Sequence, residues 1–508
     1  MARDTSSAPF CPPHNRIYVL VAAILASSMG FIDGSVLSIA TPALRADLGA
    51  SLGDAQWVSN AYLLLLSALL LLGGAAGDRF GLRTVFGLGI GLFTASSVAA
   101  ALAPSPLLLI LARAVQGLGA ALMVPGSLAI IARAYPREER GAAIGLWSSF
   151  SSLTTIMGPV VGGLVLTGLG DWSWRLVFAI NLPLGVIALS LLYLKVPRDP
   201  PQAGRRLDMV GGGLITLALL FIALGLTPLA GGAPPASHVG LFCGSGVLLL
   251  AAFLWWEARA SDPMLPLRHF RNVAFSGAQA LTFALYFALA AVTFFLPMAM
   301  IGGWGATAAE VSLAFLPFGV ALTGLSPLAG RLSDRFGPAP MIAVGSAMVA
   351  AAFALLGLAA PLESIWFGVL PVVALMGIGM SAVVSPLSTA VMTSVADRET
   401  GLASGVNNAV ARVAGLLAIA VMGGAATIVF ERGLGALADM PLHFGLLPDP
   451  SPPPDIESVR RAASNAAFSV IAYSAAALAL LSAGIAWLTQ QRKRREDGAV
   501  RPSSVRRR

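Results

Sequence analysis

Charge is the scarcest ingredient of this 508-residue chain: Asp, Glu, Lys and Arg make up 11% of it, against 57% hydrophobic residues and a mean hydropathy of +0.82. A soluble chain carries about a quarter of its residues as charges, so a water-facing surface cannot be built and the natural surrounding is a bilayer. Lysine is almost missing. Lys195 and Lys493 follow Leu194 and Arg492 rather than glycine, which excludes a Gly-Lys-Ser/Thr phosphate loop and hydrolysis of ATP. The four histidines, His14, His238, His269 and His443, fall in loops or tails without metal-ligand spacing, and no Gly-x-Ser-x-Gly elbow occurs. Hydrolytic and metal chemistry have no visible machinery, so the chain reads as no enzyme, without metal or other cofactor. Cys11 in the N-terminal tail and Cys243 inside an apolar run give no basis for a structural disulfide.

What is present is a succession of apolar runs. Crossing hydrocarbon takes about 20 apolar residues per helix, because the backbone polar groups must be satisfied within the segment. Fourteen such runs occur, near residues 17–40, 55–76, 84–103, 107–131, 141–168, 175–196, 208–229, 239–257, 273–301, 308–328, 338–360, 364–390, 402–431 and 467–489. The first is longer than a signal-peptide core and contains Asp33, so it reads as a retained span rather than a cleaved leader. With an even number of spans and both ends inside, only Arg45, Arg175, Arg432, Arg460 and Arg461 fall in outer segments, Arg113 and Arg412 fall within spans, and the other basic residues are cytoplasmic. Acidic residues divide almost evenly, so the asymmetry is specifically basic. The net charge of +8 therefore reflects membrane orientation, and short basic loops without a continuous stripe argue against nucleic acid as a partner.

The stretch Gly74-Ala-Ala-Gly-Asp78-Arg79-Phe80-Gly81 recurs as Gly330-Arg-Leu-Ser-Asp334-Arg335-Phe336-Gly337, each time between two antiparallel spans on the basic side. The chain reads as a duplication: an N-terminal tail (1–16), a six-helix bundle (17–196), two inserted helices with their loops (197–272), a second six-helix bundle (273–489) and a basic tail (490–508). Residues 432–466, rich in Pro, Asp and Glu, read as a poorly regular outer loop. The tail's basic residues suit contact with anionic lipid. Parallel six-helix repeats are a recognised transporter plan, with the substrate between them.

The repeat and its neighbours resemble the major facilitator superfamily, and within it the fourteen-helix drug:proton antiporters. The loop GAAGDRFGLRTVF keeps Gly74, Asp78, Arg79, Gly81 and Arg83 of that family's signature, with Ala76 where leucine is usual. LILARAVQGLGAA in the fourth span is similar to the signature built on Arg113, Gln116, Gly117 and Gly119. GPVVGG in the fifth, with Gly158, Pro159, Gly162 and Gly163, resembles the exporter signature. WRLVFAINLPLG (174–185), LDMVGG (207–212) and DPMLPLRHFRN (262–272) resemble patterns of the fourteen-helix group. The resemblance implies an all-α integral membrane fold, two six-helix bundles plus two inserted helices. It also implies proton coupling through a first-span carboxylate and a fourth-span arginine.

The residues agree with that implication on their own terms. Asp33 is the one acid deep in a span, where a charge costs roughly 2.5–3.5 kcal/mol on insertion scales. At 1.5 Å per residue, Asp33 and Arg113 both lie roughly 10 Å below the outer surface, so they can meet. Burial favours the neutral acid and a nearby arginine the carboxylate, so a change in hydration or separation would move a proton; the alternative is a static pair that fixes helix packing. One charge crossing 100 mV releases about 2.3 kcal/mol, enough for roughly a fiftyfold gradient of a neutral solute. The glycines and proline of the fifth span permit a kink and close packing across the halves, with simple membrane-helix packing as the alternative.

Asp78 and Asp334 are placed to face the positive N-termini of helices in the opposite half, with Arg79, Arg83 and Arg335 as competing partners, forming a conformational latch; a turn-plus-topology role is the alternative. Trp57, Tyr62, Trp147, Phe150, Tyr286, Phe294, Phe295, Asn408 and Arg412 are candidates for the substrate cavity, though core aromatics look the same in sequence. Arg412 would contact an anionic substrate or hold an interface with Asn408. Some related multidrug exporters carry further acids in the tenth and thirteenth spans; here the tenth has only Glu310 near its outer end and the thirteenth carries Arg412, which disfavours doubly charged cations. The expected function is proton-driven export of small amphiphilic compounds across the bacterial inner membrane, with protons, solute and lipid as partners and no obligate protein partner. An uptake symporter and a transport-inactive sensor or scaffold are the alternatives.

Overall fold

The structure, a computed structural model, describes residues 10–199, 207–227, 235–396, 399–448 and 451–499, apart from the side chains of Arg137 and 491–499. The first nine residues and the basic side chains of the C-terminal tail, for which a lipid contact is expected, lie outside the described residues. Among the described residues there is no β-strand. Fourteen helices are long and apolar enough to cross a membrane: Pro13–Leu48 (α1), Leu52–Phe80 (α2), Leu82–Ala101 (α3), Pro106–Ala134 (α4), Glu138–Leu169 (α5), Asp171–Lys195 (α6), Met209–Leu226 (α7), Ala236–Glu257 (α8), Val273–Gly303 (α9), Ala308–Phe336 (α10), Pro338–Leu362 (α11), Ile365–Thr393 (α12), Thr400–Leu437 (α13) and Pro454–Gln490 (α14).

Local chemistry sets several boundaries. Ser51 caps α2 in a reciprocal box with Asp54, and Thr307 and Glu310 form the same box at the start of α10. Gly81 and Gly337 close the two copies of the repeated loop at φ +91° and +87°, a conformation closed to residues with a β-carbon. Two segments differ from the sequence expectation. The sixth span is broken into a turn at Asp171–Ser173, a short helix Trp174–Ala179 and the main helix Asn181–Lys195. The last helix begins at Pro454, inside the stretch expected to be irregular, because Pro suits the first helical turn and Asp455 and Glu457 face its positive end.

The described chain separates into two compact units. The first gathers the residues up to Leu265 with Thr293–Leu313 and Leu416–Phe468. In it α4 packs on α2 and α3, α1 on α5 and α6, and the inserted pair α7–α8 leans on α2. Gly117 makes this closeness possible, since a β-carbon there would stand 2.4 Å from the Tyr62 carbonyl oxygen. The turn after α13 also belongs to this unit. Phe444 sits in an aromatic cluster with Phe295 and Phe430, and its carbonyl accepts a 2.7 Å hydrogen bond from the buried Arg45 guanidinium. Arg460 of α14 donates to the Gly302 and Gly303 carbonyls at the π-helical end of α9.

The second unit comprises Pro266–Val292, Ala314–Gly415 and the chain from Ser469 onward. Here α11 and α12 approach through Gly345 and Gly379, α9 meets α13 where Thr282 hydrogen-bonds Asn407, and Gln490 donates to the Ala274 carbonyl. Arg268 pairs with Glu399, and the Asn272 amide donates to the Ser394 carbonyl, tying the 262–272 loop to the end of α12.

Candidate proton-coupling site

The rare charges of α1 and α4 are brought together. Arg113 Nη1 lies 2.6 Å from Asp33 Oδ2, and both side chains are sealed from solvent, Asp33 at 0% exposure. The pair is embedded in a network that gives both Asp33 oxygens a donor. Gln116 Nε2 donates to Asp33 Oδ1 at 3.1 Å, Arg113 Nη1 also donates to Gln116 Oε1, and Arg113 Nε donates to the Val58 carbonyl at 3.0 Å. Ser97 accepts from Gln116 and from Asn181 of α6. The guanidinium lies 4.3 Å from the Tyr62 ring centroid, with Phe178 on another side. Both Asp33 oxygens accept from donors, and a proton on Asp33 would compete with Arg113 for Oδ2.

Spacing explains the α4 signature: Arg113 and Gln116, three apart, share one face, and Gly117 and Gly119 on the adjoining faces let α2 and α3 close around them. The α5 signature acts by contact as well. A β-carbon at Gly162 would stand 2.4 Å from Val36 of α1, and one at Gly163 would stand 2.0 Å from Ser312 Oγ and 2.5 Å from the Ala308 carbonyl oxygen of α10. The Ala309 amide donates to Thr167 Oγ1 nearby, so α5 and the first turn of α10 touch through backbone-level contacts. Pro159 lies within the continuous α5 and Gly158 beside Ser35.

The expected latch residues are placed differently from one another. Asp78 is half-buried and Asp334 exposed, and neither makes a hydrogen bond or ion pair to a described residue; Arg79 and Arg335 are exposed beside Phe80 and Phe336. Arg83 is committed within its own unit, donating to the Leu192 and Tyr193 carbonyls. A residue missed in the sequence, Asp199, occupies the start of α3: its oxygens accept from the Leu82 and Arg83 amides at 2.7 and 2.9 Å and pair with Arg133 at 3.2 Å. One signal for it exists, because α3 starts at Gly81 with no capping side chain of its own, leaving amides that demand an outside acceptor.

The cavity candidates also divide. Tyr62 is buried against Arg113 and Phe93, and buried Trp57 donates its indole N–H to the Thr227 carbonyl at the end of α7. Half-buried Trp147 donates to Ser27, whereas Phe150 is 46% exposed. Phe294 and Phe295 form a buried edge-to-face pair. In the second unit Tyr286 and Arg412 are half-buried, and Asn408 is exposed with its amide donating to the Ser404 carbonyl one turn back.

The sequence profile of the Major Facilitator Superfamily matches residues 23–419 and 280–503. The chain belongs to that superfamily. As a Major Facilitator Superfamily protein it is a multi-pass membrane transporter and not an enzyme. It is 32% identical to the tetracenomycin C resistance and export protein of Streptomyces glaucescens over 414 residues, 80% of this chain and 74% of that protein. It is 30% identical to the methylenomycin A resistance protein of Bacillus subtilis over 410 residues, 80% and 87% of the two chains. A multidrug resistance protein of Mycobacterium tuberculosis is 31% identical over 80% of this chain and 75% of its own length. Among solved structures, a bacterial homolog of the human lysosomal transporter Spinster aligns with a TM-score of 0.66 at 18% identity, covering 94% and 99% of the chains. This last likeness is one of superfamily fold.

Proposed function

We propose that this transporter exports small amphiphilic compounds, drugs or secreted metabolites, from the bacterial cytoplasm in exchange for protons, with both termini cytoplasmic in the inner membrane. The observation that carries the reading is the sealed Asp33–Arg113–Gln116 network. A carboxylate in hydrocarbon is retained at a cost, and here both of its oxygens accept from donors with which a proton would compete. When α1 and α4 separate, Asp33 loses Arg113 and takes a proton from the outer side; when they close, Arg113 returns and the proton leaves toward the cytoplasm. The names of relatives resistant to tetracenomycin C and methylenomycin A support the class of cargo. Glu310, the acid in the first turn of α10, is used in its helix cap, and α13 carries Arg412, which favours neutral or anionic amphiphiles over divalent cations.

Proteoliposomes with an imposed pH gradient test this. Solute-induced proton movement opposite to solute flux is the expected result. Movement in the same direction would make the protein an uptake symporter, and none would make it a sensor or scaffold; either overturns the proposal.

A further inference from the structure

The inserted helices α7 and α8 contain a second pair of acids that the coupling site does not use. Asp208 caps α7: its Oδ1 accepts from the Gly211 amide at 2.8 Å and from the Trp256 indole N–H at 2.9 Å. Glu257, the last residue of α8, is 3% exposed, and its Oε2 accepts from the Leu265 amide at 2.9 Å. Each acid thus has one oxygen supplied with donors and one without. Asp208 Oδ2 and Glu257 Oε1 are buried and accept no hydrogen bond from a described residue. They face the same point, 2.6 and 2.7 Å from where a β-carbon on Gly211 would stand, and the two carboxyl groups are within hydrogen-bonding reach of each other.

Two buried carboxylate oxygens cannot remain side by side with neither a donor nor a cation between them. Among the described residues the surroundings supply no basic group. On the α2 side Gly212 meets Leu69 and Leu72; the Arg259 guanidinium lies over Trp255 and donates to the Trp255 carbonyl; Asp262 is exposed. Neither acid makes an ion pair with a described residue, and Arg205 and Arg206 lie outside the described residues. We propose that Asp208 and Glu257 jointly bind one proton, a second proton-binding site on the inserted helix pair, separate from Asp33. The proton sits between Asp208 Oδ2 and Glu257 Oε1 as an O–H···O⁻ bond and fastens the start of α7 to the end of α8 and to Leu265. Gly211 is the residue that leaves room for it. Alkalinisation removes the proton, turns the clasp into a repulsive pair and loosens the Leu265 attachment.

The test uses the full-length protein in lipid nanodiscs with Asp33→Asn, so that its outcome is independent of the antiport reading. Infrared difference spectra and proton counting are recorded between about pH 5.5 and 9. The expected result is a protonated-carboxyl band lost on alkalinisation, with about one proton per chain released in excess of the number released by Glu257→Gln. The band and the excess proton should both be absent in Glu257→Gln, whose amide can supply the missing donor to Asp208 and still accept from Leu265. Asp208→Asn is the parallel variant should the first not fold. Gly211→Ala should abolish the shared proton while leaving both acids in place. An unchanged band and proton count in all three variants would overturn the proposal. So would a band absent from the parent at every pH, or a parent stabilised at high pH by added magnesium or calcium and not in Glu257→Gln, which would make the pair a cation site.

Discussion

Gly163→Ala adds one carbon at the tightest contact between α5 and the start of α10. That carbon would stand 2.0 Å from Ser312 Oγ and 2.5 Å from the Ala308 carbonyl, and Ser312 is 1% exposed with its hydroxyl donating to Ala308. The Ala308 carbonyl is backbone, and Ser312 Cβ would stand at 2.8 Å whichever way its hydroxyl turned, so the two helices must move apart. Overpacking of this kind costs about 1–3 kcal/mol. At 1.36 kcal/mol per tenfold, the arrangement seen here should lose population by roughly 5- to 150-fold relative to one in which the helices have parted. The assay is disulfide trapping between Thr167→Cys and Ala309→Cys, which face each other across the contact, in a background lacking Cys11 and Cys243. Trapping should slow in Gly163→Ala and recover partly when Ser312→Ala is added. It should stay unchanged in Gly168→Ala, where a β-carbon meets nothing within 4 Å. Equal trapping rates in Gly163→Ala and the parent would refute the claim that the α5 glycines set this contact.

Three further outcomes follow from the same geometry. Arg113→Lys keeps the charge but cannot donate at once to Asp33, Gln116 and Val58; transport should fall at least tenfold, and near-normal transport would show that the forked geometry is dispensable. Asp199→Ala removes the α3 cap and should destabilise the fold by about 0.5–2 kcal/mol, with faster amide exchange at Leu82 and Arg83, whereas Asp199→Asn should keep most of the protection. His443, in the turn after α13, has its imidazolium disfavoured by burial and then by Arg45, so its affinity for protons is below the usual histidine range. The unfolded turn then binds more protons than the docked one, so docking weakens as pH falls below about 6.5. Proteolysis within 438–448 should rise on acidification in the parent and not in His443→Asn.

The helix count and the meeting of Asp33 with Arg113 were legible because both rest on contrast: an acid and an arginine inside apolar runs have few reasons to be there other than each other. Gln116 lay in the same signature, but its part as second donor to Asp33 depends on the packing of α1 against α4, while Gly117 and Gly119 set the approach of α2 and α3 to the same helix. Tyr62 read as a cavity aromatic because an aromatic stacked on a buried guanidinium has no separate sequence mark. Asp199, Asp208 and Glu257 were passed over for the opposite reason. Each sits at a helix end or loop, where solvated charge is ordinary, and only tertiary contact reveals that Asp199 feeds α3 and that the other two face each other. Prolines before residue 454 disguised the start of α14, since the same residue type breaks a helix in its interior and begins one in its first turn.

The central claim is that Asp33 exchanges its proton for cargo. Its most direct measurement is proton release from purified protein on addition of a transported compound, in the parent and in Asp33→Asn, each checked for folding and membrane insertion. The account predicts solute-evoked release in the parent and none in Asp33→Asn. Release of equal size from both would contradict it.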